Sequence, residues 1–245
     1  MKTISQEKIK WIRSLQQKKN RTQEHVFFVE GRKMLEEALT HASKRIKLIV
    51  TTGKEFVLSA PSEIEVFHCT AKQMSQLSVL SSPSDFFVVL EQSPEILPSS
   101  NEKFVLLDGI QDPGNLGTIL RTCDWFGIKH IVCSLDTVER YNPKVIQATM
   151  GSIFRVNIGY TDLVEYIRTS DKKILGTDME AHSIYDSSEK LSLVDGLVIG
   201  NEGKGISQPV RDFIKNYIAI PRIGFAESLN AAVTTGIVLS YWTRK

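Results

Sequence analysis

Cysteine is scarce in this chain: Cys69, Cys123 and Cys133 are the only 3 in 245 residues, and none has C-x-x-C spacing. That excludes the usual zinc-ribbon and thioredoxin-like patterns, and the odd count fits reduced thiols in a reducing compartment. The 5 histidines show no H-E-x-x-H or related ligand spacing, so no metal is expected. No apolar run reaches the roughly 18 residues that a membrane span needs. Met1-Lys2-Thr3-Ile4-Ser5 lacks the apolar core of a signal peptide, so a cytoplasmic protein without membrane contact is expected.

Net charge is also small, +2, but it is unevenly spread. Residues 1–50 hold 12 Lys/Arg against 5 Asp/Glu, which leaves 18 against 23 in the remainder. A basic N-terminal end facing an acidic remainder points to a polyanionic partner, most economically a nucleic acid. A solvated helix with scattered lysines would give the same count. Hydrophobic residues make up 42% of the chain, enough for a sizeable core, and at this length one large or two modest domains are expected.

Along the chain, Ile9, Ile12 and Leu15 recur at helical spacing, predicting a helix over residues 5–19 that closes in a basic turn, Lys18-Lys19-Asn20-Arg21. Short strands are predicted at Val26–Val29, Ile46–Val50, Val57–Leu58, Val66–Cys69 and Phe86–Leu90, with helices at Arg32–Ala42 and Ala71–Leu77. The stretch EQSPEILPSSNE, residues 91–102, carries two prolines and three serines and reads as a linker. The expected division is therefore a small α/β domain over 1–92, a linker over 93–102 and a second domain over 103–245.

In that second domain strand and helix alternate. Strands are predicted at Phe104–Asp108, His130–Ser134, Phe154–Ile158, Lys173–Thr177, Leu197–Gly200 and Tyr217–Ile220, most of them continuous apolar runs. Helices are predicted at Leu116–Phe126, Pro143–Met150, Asp162–Thr169, Pro209–Lys215 and Leu229–Trp242. The rhythm predicts an α/β fold with a parallel sheet covered on both faces.

Ligands of such sheets bind at the carboxyl ends of strands. Three of these ends are rich in glycine and polar residues. The first, LDGIQDPGNLGTILR over 107–121, lacks the G-x-G-x-x-G of a dinucleotide site; Asp112 and Pro113 read as a helix start and Gly127 as its stop. Asn115 and Arg121 would lie roughly 120° apart on a regular helix, so spacing alone does not place them in one site. The second, VIGNEGKGI over 198–206, allows tight turns and close backbone approach, with Glu202 in mid-turn; its lysine precedes glycine, so it is not a Walker A loop. The third, IPRIGFAESLN over 220–230, opens the last helix, where Ser228 reads as an N-cap with Asn230 in support.

In this order and spacing, N-x-x-x-x-x-R, G-N-E-G-x-G and I-P-x-x-G-x-x-E-S-L-N resemble the three motifs of the SpoU-type (TrmH-like, SPOUT) RNA 2′-O-ribose methyltransferases. The similarity covers nearly all of 104–242, and the basic N-terminal part, with FFVEGRKMLEEAL, resembles the substrate-binding domain of the family's ribosomal-RNA members. The resemblance implies a C-terminal sheet tied in a trefoil knot, a homodimer, and S-adenosylmethionine as cofactor. It assigns Asn115, Arg121, Glu202, Ser228 and Asn230 to the reaction, and Gly200, Asn201, Gly203, Ile220, Leu229 and Thr177 to the cofactor. The partner implied is RNA, with large-subunit ribosomal RNA favoured over transfer RNA, and Lys8, Lys10, Arg13, Lys18, Lys19, Arg21 and Arg32 are candidate phosphate contacts. An arginine whose pKa exceeds about 12 is a poor base, so Arg121 is expected to bind the adjacent phosphate and steady the developing alkoxide, leaving the proton to Glu202 or a phosphate oxygen. Arg222, where methionine is commoner, and the bulky Cys123-Asp124-Trp125-Phe126 depart from the family pattern. Two other classes stay open: a non-catalytic RNA-binding protein that keeps the fold, and a nicotinamide-dependent oxidoreductase, which the missing glycine fingerprint disfavours.

Overall fold

A computed structural model describes residues 2–53, 64–99, 102–186, 191 and 193–244. The predicted extended pair Val57–Leu58 lies outside the described residues. The chain forms two compact units: one of Met1–Pro94 with Tyr141–Phe154, the other of Glu95–Arg140 with Arg155–Lys245. Tyr141–Phe154, read from the sequence as part of the second domain, belongs by its packing to the first unit.

In the first unit the elements are β1 (Lys2–Thr3), α1 (Gln6–Ser14), α2 (Lys18–Glu24), β2 (Val26–Glu30), α3 (Arg32–His41), β3 (Ile46–Thr51), β4 (Glu65–His68), α4 (Ala71–Leu77) and β5 (Phe86–Glu91). The sheet runs β1-β4-β3-β5-β2, with β5 antiparallel to both neighbours. Alternation decides its faces. Val26 and Phe28 of β2, Leu48 and Val50 of β3, and Phe87 and Val89 of β5 pack in one core with Ile9, Ile12, Met74 and Leu77 of α1 and α4. Phe27 faces the other way and stacks on Tyr141, ring centroids 4.4 Å apart. The Tyr141 hydroxyl accepts the Ser93 amide at 2.8 Å, so one aromatic side chain anchors Tyr141–Phe154 to this unit. The one α-helix in that segment spans Pro143–Thr149 and is α6 in chain order.

Lys18-Lys19-Asn20-Arg21 is not a turn but the first half of α2. The break comes earlier, after Leu15. There the Arg21 guanidinium donates to the carbonyls of Leu15 at 2.8 Å and Gln16 at 2.9 Å, and the Asn20 amide donates to that of Ser14. Side chains thus satisfy the orphaned carbonyls at the end of α1, which lets a second helix start at once.

The second unit holds β6 (Phe104–Asp108), α5 (Pro113–Trp125), β7 (His130–Ser134), β8 (Asn157–Thr161), α7 (Leu163–Thr169), β9 (Ile174–Ser183), β10 (Gly196–Gly200), α8 (Gln208–Arg211), β11 (Asn216–Ala219) and α9 (Ala231–Trp242). Its sheet, β11-β9-β10-β6-β7-β8, is parallel throughout, as expected. All of Phe104–Asp108 and Gly196–Gly200 is buried, which accounts for their unbroken apolar runs. Phe104, Leu106, Val132 and Val198 pack against Leu163 and Ile167 of α7 and against Ile206, Val210 and Ile214. Helix α9 packs on α5 and β10.

Some boundaries differ from the prediction. Phe154 ends a 3-10 turn and β8 begins at Asn157, because Gly151, at φ 102°, redirects the chain first. Strand β9 runs past Thr177 to Ser183, its second half paired with β11 beyond an irregularity at Tyr217/Ile218. The predicted helix at Pro209–Lys215 is one short turn, α8.

Candidate active site

Asp108, at the buried end of β6, accepts the Ser207 amide on Oδ2 at 2.7 Å. Gly109, at φ 71°, turns the chain away; its amide donates to Ser134 Oγ at 2.8 Å and its carbonyl accepts from Asn201 Nδ2 at 2.6 Å. Asp112 then caps α5 by accepting the Asn115 amide at 2.8 Å, with Pro113 in the first turn, as the sequence predicted.

The loop after β10 is held by Asn201. Its Oδ1 accepts the amides of Gly203 at 3.0 Å and Lys204 at 3.1 Å, while its backbone bridges Gly205 in both directions at 2.9 Å. A residue larger than Gly200 would force backbone to shift, since a Cβ there would overlap the Gly205 carbonyl carbon and the Ile206 amide nitrogen. Asn201 is therefore both a wall residue and the staple between the first and second motifs.

The third motif reaches the same place. Asn230, not Ser228, is the N-cap of α9; its Oδ1 accepts the Ala232 amide at 2.9 Å and the Val233 amide at 3.3 Å. An N-cap must accept from N2 or N3, and Ser228 lies too early to do so. The Asn230 amide donates to Asn115 Oδ1 at 2.9 Å, and the Asn115 amide donates to Glu202 Oε1 at 2.7 Å. One side chain from each motif thus forms a continuous hydrogen-bonded line, Asn230–Asn115–Glu202.

Beside this line is a cavity of about 640 Å³, within the range of small-molecule sites. Thr177, Gly200, Asn201, Gly203, Ile220 and Leu229 all line it, and so do Glu202 and Ser228. The Thr177 hydroxyl is turned to the Val198 carbonyl at 3.0 Å. Arg121 is not in the lining and stands on the exposed face of α5. The structure brings four of the five polar positions to one end of the sheet and leaves Arg121 exposed on α5, outside the cavity lining. Asp178 and Arg211 also line the cavity and were not anticipated. Asp178 follows Thr177 directly, which is a usable signal; Arg211 has none, because its place depends on how the 201–207 loop folds.

The N-terminal candidates divide. Lys10, Arg13, Lys18, Lys19 and Arg32 are exposed, with Arg32 5.0 Å over the Phe86 ring. Lys8 is half-buried, 3.6 Å from Glu65 and 4.7 Å over Phe67. Arg21 is a correction: it is 2% exposed, with its guanidinium committed to α1 and its pKa lowered to about 10 by burial, so it has no face for a phosphate. Among the described residues no helix is long and apolar enough to cross a membrane, and no group of three His/Cys/Asp/Glu could hold a metal.

Comparisons with known proteins agree with this geometry. Residues 102–240 match the SpoU rRNA Methylase family and residues 6–87 the MRM3-like substrate binding domain. The chain is 27% identical to the 23S rRNA (guanosine(2553)-2′-O)-methyltransferase RlmP of Bacillus subtilis, over 98% of this chain and 97% of that one. Its fold superposes with TM-score 0.87 and 34% identity on a Porphyromonas gingivalis protein assigned to the TrmH family of RNA methyltransferases, covering 98% of both chains. An AdoMet-bound rRNA methyltransferase from Sinorhizobium meliloti gives TM-score 0.86 at 29% identity, over 99% of this chain and 96% of that one. The chain belongs to the SpoU rRNA methylase family.

Proposed function

We propose that this protein transfers a methyl group from S-adenosylmethionine to a ribose 2′-hydroxyl of ribosomal RNA, most directly of the large subunit. The observation that carries the reading is the joining of side chains from three motifs, up to 115 residues apart, in the line Asn230–Asn115–Glu202, beside a cavity that the second and third motifs line. The cavity fits the cofactor: Ile199, Ile206, Ile218, Ile220 and Leu229 give it an apolar wall, polar side chains stand among them, and Gly200, Gly203 and Gly205 allow a ligand to come close.

S-adenosylmethionine supplies an electrophilic methyl on a sulfonium. The residues hold the ribose oxygen in line with it, which is worth about 7–11 kcal/mol at ideal alignment. Asn115 fixes the Glu202 carboxylate, leaving Oε2 to accept the 2′-hydroxyl proton. Ser228 and Asn230 orient the ribose and hold the loop. Arg121, exposed on α5, forks onto the adjacent phosphate and steadies charge on the attacking oxygen. With the cofactor bound, the ribose oxygen would take its methyl group, leaving the cofactor as a neutral thioether, and the 2′-hydroxyl proton would pass to Glu202.

RNA is gathered by the first unit through Lys8, Lys10, Arg13, Lys18, Lys19 and Arg32. The protein works as a homodimer in the cytoplasm, with the C-terminal sheet knotted as in its family. Support for a second copy comes from residues 221–230, exposed throughout, where Ile223 and Phe225 are wholly uncovered, and from the half-exposed Val233 in the first turn of α9. The deciding experiment is transfer of labelled methyl to ribosomal RNA, with the modified ribose mapped by its resistance to alkaline cleavage. Label on a base, or no label on any RNA, would sink the reading.

A further inference from the structure

Asp178 of β9 and Arg211, the last residue of α8, both line the cavity and form an ion pair, Arg211 Nη2 to Asp178 Oδ2. Each is fixed from a second side. Asp178 Oδ1 accepts the Glu180 amide at 2.9 Å. The Arg211 guanidinium lies 5.0 Å over the Tyr217 ring, and the Tyr217 hydroxyl donates to the Arg211 carbonyl at 3.1 Å. The Glu180 amide, then Arg211, hold the Asp178 carboxyl below its usual range, and Asp178 raises Arg211, so both are charged. Their side chains are 20% and 36% exposed, whereas Lys204 and Arg222 in the same wall are exposed residues.

As a brace, such a partly exposed pair would contribute little to stability. The ion pair uses one of about five guanidinium N–H donors, and each Asp178 oxygen keeps a lone pair. A fixed cation and anion side by side, in the wall of the proposed S-adenosylmethionine cavity, match a ligand end that carries both charges on neighbouring atoms.

We infer that Arg211 and Asp178 grip the amino-acid end of the cofactor, Arg211 taking its α-carboxylate and Asp178 its α-ammonium. This rests on the cofactor reading and adds the group that orients the methionyl arm. A planar guanidinium suits a carboxylate through two parallel bonds, and pre-fixing by Asp178 and Tyr217 lowers the ordering cost. The same end is present in the product, so the pair discriminates ligands by whether they carry it.

The test is calorimetric titration of the full chain with S-adenosylhomocysteine and with 5′-methylthioadenosine, which keeps the nucleoside and thioether but lacks the amino-acid end. Arg211→Gln should weaken S-adenosylhomocysteine about tenfold or more, the scale of a charge-assisted hydrogen bond, while 5′-methylthioadenosine binds as to the wild type. Asp178→Asn should show the same selectivity. Unchanged 5′-methylthioadenosine binding also certifies that the variants are folded. Equal loss of both ligands would make the pair a wall brace and overturn the inference, as would no loss of either. A wild-type protein that bound neither would overturn the cofactor reading and this inference with it.

Discussion

Asn115 donates its side-chain amide to Glu202 Oε1 at 2.7 Å across 87 residues of chain, tying the first motif to the carboxylate of the second. With Nδ2 spent on Glu202 and Oδ1 on Asn230, both ends of one amide are used. Asn115→Asp should be worse than Asn115→Ala, because it sets a second carboxylate against Glu202 and removes the donor. Turnover should fall roughly 10²-fold in the alanine variant, the scale of a mispositioned proton acceptor, while cofactor affinity changes little. Single-turnover methyl transfer with parallel titration of S-adenosylhomocysteine separates the two; equal losses in both would disprove the assigned role.

Arg121 stands outside the cavity lining on the exposed face of α5, which suits a group that meets substrate rather than cofactor. Arg121→Lys keeps the charge but not the two-pronged geometry. It should lose most of its turnover while the salt dependence of RNA binding stays near that of the wild type. Near-normal turnover in the lysine variant would refute the bidentate phosphate role.

Gly200 lies under the crossing of Gly205 and Ile206, with backbone rather than a flexible side chain where a Cβ would go. Gly200→Ala should therefore cost roughly 1–3 kcal/mol by overpacking, and more where the loop cannot shift. Because Asn201–Gly205 frames the cavity, S-adenosylhomocysteine affinity should drop together with the urea midpoint. An alanine variant with wild-type values for both would show that the loop relaxes freely.

The parallel sheet was legible because β6 and β10 are buried on both faces and so read as apolar runs. The start of α5 was legible because Asp112-Pro113 is a local signal, spelled out in adjacent residues. What is local in space but not in sequence was not legible. Helical geometry alone put Asn115 and Arg121 on different faces, and it could not say which of them meets Glu202. Asn230 displaced Ser228 as the cap by two residues, because α9 begins only at Ala231 and Asn230 is placed to accept the Ala232 and Val233 amides. Arg21 read as a free cation in a basic run, since nothing in Lys18–Arg21 announces that the end of α1 lies above it. Arg211 depends on the path of residues 201–207, which glycine content permits but does not dictate.

Glu30 supplies a stability switch. It accepts the Ser78 hydroxyl on Oε2 and the Val79 amide on Oε1, the latter at 2.9 Å, and burial raises its pKa above the ordinary 4.5 despite both bonds. A carboxyl raised in the folded state binds its proton more tightly there than in the unfolded chain. Its contribution is therefore most favourable below the unfolded value of 4.5 and is lost as pH rises through the folded value. Glu30→Gln removes this dependence, so the wild type should lose stability relative to the variant as pH rises above 4.5. Urea unfolding of both across that window decides it, and a constant difference would exclude desolvation of Glu30 as the cause.

Arg21 and its lysine neighbours should behave as different kinds of residue although they are adjacent in one basic run. Arg21→Ala strands the buried carbonyl of Leu15 and uncovers the part-buried one of Gln16, which should cost roughly 1–3 kcal/mol. It should leave the salt dependence of RNA binding unchanged, because the guanidinium faces α1 and not solvent. Lys18→Ala and Lys19→Ala should do the reverse: stability within about 0.5 kcal/mol of the wild type, and a log–log salt slope lower by about 0.7–0.9 for each phosphate no longer neutralised. Urea midpoints and filter binding to ribosomal RNA at several salt concentrations, on the same three variants, measure both quantities. If Arg21→Ala lowered the salt slope with its stability intact, the burial of that side chain would not describe the RNA-binding state, and Arg21 would return to the lysines' side of the division.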